Sequence, residues 1–423
     1  MNKLLIIPLL TLIFLLIDWY VFQAVKVAFQ NTSSSTQQWV KWIYWGLNLL
    51  ILSGMWLYNF GNPDWFGKNV RTFLLVGVFI SYFSKLFVLV FLLIDDLIRL
   101  GRWIVSLFTK PEVNALATAP SPTETTISRS EFLMKTALVV GAVPLGAATW
   151  GILSGAHDYR VRRVTLRLKD LPKSFDGFRI AQISDIHSGS FFNKTAVKGG
   201  VEMILKEKAD VIFFTGDLVN NRANEVEEYI PIFNKLKAPL GVYSTLGNHD
   251  YGDYYNWASK QAKQQNLNDV KHAHKLLGWD LLNDEHRILT ESGEQLAILG
   301  VQNCGFGRFQ RQNYGNLAKA YAGTDEAPVK LLLSHDPQHW DGEVNTNYKD
   351  INVMFSGHTH GTQFGVNIGD LHWSPAQYAY KQWAGLYQQE DQYLYVNRGY
   401  GYIGFPGRVG MPPEITVFEL KSV

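Results

Sequence analysis

Phe178–His187 reads FRIAQISDIH and Ile351–His360 reads INVMFSGHTH, and in each a short apolar run passes straight into Asp and His. Three stretches between them repeat the pattern: Asp210–Asp217 (DVIFFTGD), Gly241–Asp250 (GVYSTLGNHD) and Val329–Asp336 (VKLLLSHD). Apolar runs of this length bounded by turn residues read as buried strands. Folding alone gives no reason for Asp, Asn and His to stand at the end of strand after strand. In α/β sheets, however, the carboxyl ends of the strands are where ligands bind.

The side chains so collected are Asp185, His187, Asp217, Asn248, His249, His335, His358 and His360. Imidazole nitrogen with carboxylate and amide oxygen, and no thiolate, suits manganese, zinc or iron. Alternation along an extended segment predicts that Asp185 and His187 share a face, and likewise His358 and His360. Two dications a few ångströms apart need a bridging anion, for which Asp217 is the natural candidate, with hydroxide as the second bridge. Such a pair clamps the attacking and leaving oxygens of an in-line displacement and lowers the pKa of bound water from 15.7 toward roughly 7. Phosphoester hydrolysis is the reaction that most needs this.

The series DIH, GD, GNHD, SHD and GHTH, in this order, resembles the calcineurin-like metallophosphoesterase superfamily. SHDPQHW, GHTHGTQ and the tail NRGYGYIGFPGRVGMPPEITVFEL resemble its bacterial membrane-associated or exported branch, over about residues 160 to 423. The resemblance implies one metal held by Asp185, His187, Asp217 and His360, and a second by Asp217, Asn248, His335 and His358. It leaves His249 unligated, facing the phosphoryl oxygens to stabilise their charge or protonate the leaving group. It also implies a four-layered α/β sandwich and hydrolysis of a phosphomonoester, diester or pyrophosphate bond through a metal-bound hydroxide. Thr362-Gln363 departs from the Gly-Gln frequent after this motif in the family, which leaves the ligands intact and puts substrate choice in doubt.

A lone buried histidine is more often a hydrogen-bonded core residue than a ligand. His157, His272, His274, His286, His339 and His372 lack the strand-end context, and His272 and His274, on an expected helix, read as solvated. In the loop NCGFGRFQRQ, Asn303–Gln312, Arg308 and Arg311 are weak candidates for phosphate contact, balanced by an ordinary solvated loop. The aromatics of His372–Tyr387 read as packing beneath the C-terminal loops, with an apolar substrate groove or bilayer contact as the other reading.

The strands alternate with helical stretches at Thr195–Lys208, Asn224–Leu236 and Tyr255–Leu277, preceded by an edge strand within Tyr159–Pro172. Later strands, Leu296–Val301, Val329–Ser334, Ile351–Ser356, Tyr393–Asn397 and Ile415–Leu420, follow with no long helices between the last ones. That predicts two mixed sheets face to face, flanked by helices.

The first 155 residues are different in kind. Leu4–Phe22, Trp42–Tyr58, Val70–Ile94 and Thr136–Leu153 are apolar runs that each approach the roughly 20 residues needed to cross a bilayer. The expected organisation is about three spans in 1–110, a flexible linker at 111–135 rich in Ala, Thr, Ser and Pro, a fourth anchoring span at 136–155, and the metallophosphoesterase domain at 160–423. Asp18 and Lys85 lie within these runs, where a charge costs about 2.5 to 3.5 kcal/mol; they pair across helices, reach the interface, or mark a pathway. The Lys and Arg distribution of the first three spans places the catalytic domain outside the cytoplasm, and the Arg-rich segment after the fourth opposes this. Ser128–Gly146 resembles a twin-arginine export signal with Ser130 in place of the second arginine.

These features together predict a bacterial inner-membrane enzyme whose substrate is a phosphate ester, with a lipid-linked one fitting the anchor. Enzymes that cleave the pyrophosphate of a UDP-linked diacylglucosamine are one alternative, and they need the cytoplasmic side. The other is a transporter or sensor bearing a metal-binding regulatory domain without turnover. A net charge of +2 gives no nucleic-acid footprint, and the single cysteine, Cys304, excludes an intramolecular disulfide.

Overall fold

The computed structural model describes residues 3–62, 67–108, 129–306, 313–369 and 371–423. It divides into two compact units, Met1–Thr149 and Trp150–Val423.

The first unit is built from α1 (Lys3–Ala28), α2 (Ser34–Phe60), α3 (Lys68–Phe108) and the greater part of α4 (Arg129–Leu153). The helices at Lys3–Ala28, Val70–Phe108 and Ser130–His157 are long and apolar enough to cross a membrane. The expected second run is helical too, within α2, which is not among these three. α4 begins at Arg129, and residues 109–128, most of the expected linker, lie outside those described. Leu4, Leu16, Trp39, Trp42 and Trp150 are exposed, as on helices whose outer faces meet lipid and not water.

Asp18 and Lys85 take the pairing outcome. Lys85 Nζ donates to Asp18 Oδ1 at 2.6 Å and to Asn48 Oδ1 at 2.5 Å. Tyr82 donates to Asp18 Oδ2 at 2.9 Å and Tyr44 to the Asp18 carbonyl at 2.8 Å. The Asp18 carboxylate thus ties α1 to α3, and Lys85 with Asn48 and Tyr44 with the Asp18 carbonyl bring in α2, since any slip leaves a charge in hydrocarbon.

The second unit is the expected four-layered sandwich. Its first sheet comprises β1 (Arg160–Leu168), β2 (Arg179–Ile183), β3 (Val211–Thr215), β4 (Val242–Thr245), β5 (Asp280–Leu281) and β14 (Glu414–Ser422), in the order β1-β14-β2-β3-β4-β5. The second comprises β6 (Glu285–Glu291), β7 (Glu294–Gly300), β8 (Lys330–Leu333), β9 (Val353–Ser356), β12 (Gly385–Gln389) and β13 (Gln392–Val396), in the order β12-β13-β9-β8-β7-β6. A separate hairpin, β10 (Val366–Ile368) with β11 (Leu371–Trp373), leaves Ile368, Leu371 and Trp373 exposed. So is Tyr378, and the expected packing of this aromatic segment holds only in part.

β2, β3 and β4 pair in parallel, as do β8 and β9, and all five are buried on both faces, which is why their sequences read as unbroken apolar runs. Ile180, Phe213, Leu331, Phe355 and Phe418 fill the space between the sheets, with Phe355 edge-on to Phe213 and Phe418 at 5.2 and 5.0 Å. β1 is the edge strand its alternation predicts, and its outward arginines discourage further pairing.

On the outside of the first sheet lie α5 (Lys194–Lys206), α6 (Ile230–Phe233) and α7 (Lys260–Leu277); α8 (Leu317–Tyr321) and α9 (Asn345–Asn347) cover the second. α5 starts at Asn193, whose side chain accepts from the Ala196 N–H, and buries Val197, Gly200, Val201 and Ile204 at helical spacing. The helix expected over Asn224–Leu236 is reduced to α6. Glu225 turns its carboxylate onto the N–H groups of Asn220, Asn221 and Arg222, and Pro231 lacks an N–H, so the segment breaks into short turns. His274 on α7 is buried, not solvated: its Nδ1 lies 2.9 Å from Ser244 Oγ, and burial pushes its pKa down to about 3.

Candidate metal centre

β2, β3, β4, β8 and β9 end at one edge of the sandwich, and two polar bonds tie the sheets together there. His335 Nδ1 lies 2.7 Å from the Thr215 carbonyl, and Gln182 Nε2 donates to the Ser356 carbonyl at 3.0 Å. Asp185 N donates to the Gly216 carbonyl and His187 N to that of Asp217, at 2.9 and 3.0 Å, so the loops after β2 and β3 continue side by side.

These loops bring the predicted residues into two groups, Asp185 with His187 and His360, and Asp217 with His335 and His358. Alternation is not what aims them. β2 stops at Ile183 and β9 at Ser356, and Asp185, His187, Asp217, His358 and His360 all have left-handed backbones, with φ of 52°, 47°, 61°, 73° and 53°. Non-glycine residues enter this region at a cost of order 1–3 kcal/mol and cluster where function over-determines the backbone. The expectation that His358 and His360 share a face therefore fails: the turn at Thr359 sends them to different groups.

Asp217 joins the groups. Its Oδ1 accepts the His249 N–H at 2.9 Å, while Oδ2, fully buried and without a hydrogen-bond partner, lies 3.4 Å from His187 Nε2 and 3.2 Å from His335 Nε2. Both ring nitrogens of buried His187 likewise lack a partner among the described residues. Polar atoms orphaned at such depth need a ligand not supplied by the protein, and a shared carboxylate flanked by imidazoles fits divalent cations. His360 Nε2 lies 3.3 Å from Asp185 Oδ1. Asn248 enters the second group with Oδ1 2.8 Å from His358 Nδ1, its amide oriented by a 2.9 Å bond from Nδ2 to the Tyr254 hydroxyl.

Outer partners set which ring atoms face inward. Thr215 binds Nδ1 of His335 and frees its Nε2, whereas the Tyr380 hydroxyl, 3.0 Å from His358 Nε2, leaves Nδ1 inward. Burial opposes a charge on His335, but the carboxylates of Asp217 and Asp185 outweigh it and push its pKa up to about 10. Against its own burial, Asp217 is held well below the usual carboxylate range by His335 and His249. Carboxylates that favour a proton on a buried histidine equally favour a cation in that proton's place.

His249 stands apart from both groups. Its Nδ1 donates to the Asn220 carbonyl at 2.8 Å, its ring stacks 4.6 Å from Tyr254, and burial pushes its pKa down to about 4 despite the Asp217 carboxylate. Sequence reading gave no role to Asp250, yet its carboxylate accepts from the N–H groups of Asp217, Leu218, Val219 and Gly247 and so fixes the loop that presents Asp217. The final Asp of GNHD was the available signal. Tyr254 was missed, and Tyr380 was read only as one of the aromatics of its segment, because their partners are visible only in three dimensions. Arg308 and Arg311 lie outside the described residues.

Residues 2–156 match the family described as "Probable Calcineurin-like phosphoesterase, transmembrane domain", and residues 178–362 match "Calcineurin-like phosphoesterase". The chain is 30% identical to the uncharacterized metallophosphoesterase YkuE of Bacillus subtilis, over 70% of this chain and 98% of that protein. It is 27% identical to a transmembrane protein with metallophosphoesterase domain of Danio rerio, over 89% of this chain and 79% of that one. A solved NAD nucleotidase of Haemophilus influenzae is more distant, at 16% identity and a TM-score of 0.35 over 53% of this chain and 45% of that chain. With both units matched and the strand-end residues gathered at one edge, the chain belongs to the calcineurin-like phosphoesterase family as a membrane protein carrying a metallophosphoesterase domain.

Proposed function

We propose that the protein hydrolyses a phosphomonoester, phosphodiester or pyrophosphate bond at a pair of divalent cations. Asp185, His187, Asp217 and His360 would hold one ion and Asp217, Asn248, His335 and His358 the other. The observation that carries this reading is Asp217 Oδ2, buried and unpartnered between His187 Nε2 and His335 Nε2 at 3.4 and 3.2 Å. The donor set favours manganese, zinc or iron. When bound, such ions polarise a phosphoryl oxygen and supply a nucleophile at neutral pH.

The remaining work falls to the chain. Asp217 and Asn248 bring oxygen donors to the centre while their other atoms stay tied to His249 N and Tyr254. His249, with Nδ1–H committed to a carbonyl, presents a bare Nε2 that would take the proton released as water attacks and pass it to the leaving oxygen. Tyr254 and Tyr380 flank the second group and orient Asn248 and His358.

A lipid-linked phosphate ester in a bacterial inner membrane, met on the extracytoplasmic side, suits a site carried by membrane helices. The division into spans at 1–110 and 136–155 and a domain at 160–423 follows from the same reading. The test is the full chain, purified and loaded with manganese, zinc or iron. Elemental analysis should find two ions per chain, with turnover of at least one class among aryl monophosphates, aryl diesters, pyrophosphates and lipid-linked phosphates. Failure to retain any metal sinks the reading, and a single ion with full activity removes the bridge.

A further inference from the structure

The tail loop that closes the site is bolted to the end of a membrane helix. Arg408, in the loop 397–411, is one of the largest fully buried side chains of the protein. Its Nε donates to the Gly401 carbonyl at 2.9 Å, Nη1 to Met411 at 3.1 Å, and Nη2 to Arg398 and Gly399 at 2.8 and 3.1 Å. Nη2 also lies 3.3 Å from His360 Nδ1. The same loop grips the other end of that group: Tyr400 N donates to the Ser184 carbonyl and Gly401 N to that of Asp185, at 2.7 and 2.8 Å. Gln363, three residues after His360, donates from its amide to the carbonyls of Phe405 and Gly407 at 2.8 and 2.9 Å.

Behind the loop is the last turn of α4, which belongs to the second unit. Arg408 N donates to the Gly151 carbonyl at 3.1 Å. The approach leaves no room for side chains: a Cβ at Gly155 would stand 2.0 Å from the Arg408 carbonyl oxygen, and one at Gly151 2.9 Å from it. The His335, His358 and Asn248 side is held differently, through Thr215, Tyr380 and Tyr254.

We propose that the end of α4 and the 397–411 loop form one seat for the Asp185, His187 and His360 group, with Arg408 as its positioning residue. The residues around Gly151 and Gly155 that end the anchor helix are then part of the wall of the metal centre. This rests on the dinuclear reading, and it predicts that disturbing the seat weakens one ion and spares the other.

Gly155→Ala in the full chain displaces the loop without removing a hydrogen-bonding group. Arg408→Lys keeps the charge but loses the fork that spans the four carbonyls. Gly146→Ala, at a position on α4 with open space around it, is the control. Stepwise binding of Mn2+ by equilibrium dialysis should show one of the two ions weakened about 10- to 100-fold in each of the first two variants, as for loss of an outer partner of a metal ligand. The other ion should stay within twofold, and the control should match the wild type. Two unchanged affinities, or equal weakening of both, would overturn the proposal; should Arg408→Lys fail to fold, Gly155→Ala alone decides. A wild-type chain that binds no metal would instead overturn the dinuclear reading.

Discussion

Asp217→Asn should strip both ions at micromolar metal and lower hydrolysis by at least about a thousandfold. The substitution keeps size and shape and retains an oxygen to accept the His249 N–H, a bond of 2.9 Å in the native site. What it removes is the charge that would face two cations in the proposed centre. At an effective dielectric of about 20, unit charges 4 Å apart interact by about 4 kcal/mol. That corresponds to about three orders of magnitude in affinity for each ion. Calorimetric metal titration of the folded variant is the direct check. Two ions bound with native affinity would show that the Asp217 carboxylate does not bridge them, whatever its position between His187 and His335.

His249→Ala should do the reverse, sparing the ions and slowing turnover by roughly 100-fold or more, as for loss of a positioned proton donor or acceptor. With its pKa pushed down to about 4 by burial, His249 is neutral throughout pH 5.5 to 8. The loss should therefore be even across that range, with no moved limb in the pH profile. Native turnover in the metal-loaded variant would remove His249 from the mechanism. The result also separates enzyme from sensor, because a regulatory metal site has no use for an imidazole that belongs to neither group of ligands.

The candidate site was legible in the sequence because each of its residues ends an apolar strand, and strand ends converge in an α/β sandwich. Asp185, Asp217 and His335 are named by that rule alone. Their aim was not legible: five left-handed backbones decide it, and no residue type at Asp185 or His358 announces one. Burial was misread where a polar residue has a distant partner. His274 looked solvated on its helix, yet Ser244 on β4 receives it. Asp250 and Arg408 serve backbone groups, which leave no trace in side-chain chemistry. The membrane region was legible by composition, α2 included, whose Asn48 then receives Lys85.

The ion pair of Asp18 with Lys85 has a consequence for biogenesis. Sixty-seven residues separate the two, so α1 leaves the ribosome with its acid well before the matching base exists. Alone at bilayer depth that acid is unfavourable by about 2.5 to 3.5 kcal/mol. The first helix should therefore linger beside the insertion machinery, entering lipid only when the third arrives. The hairpin of α1 and α2 is in this sense an unfinished object, and its completion is timed by the synthesis of α3.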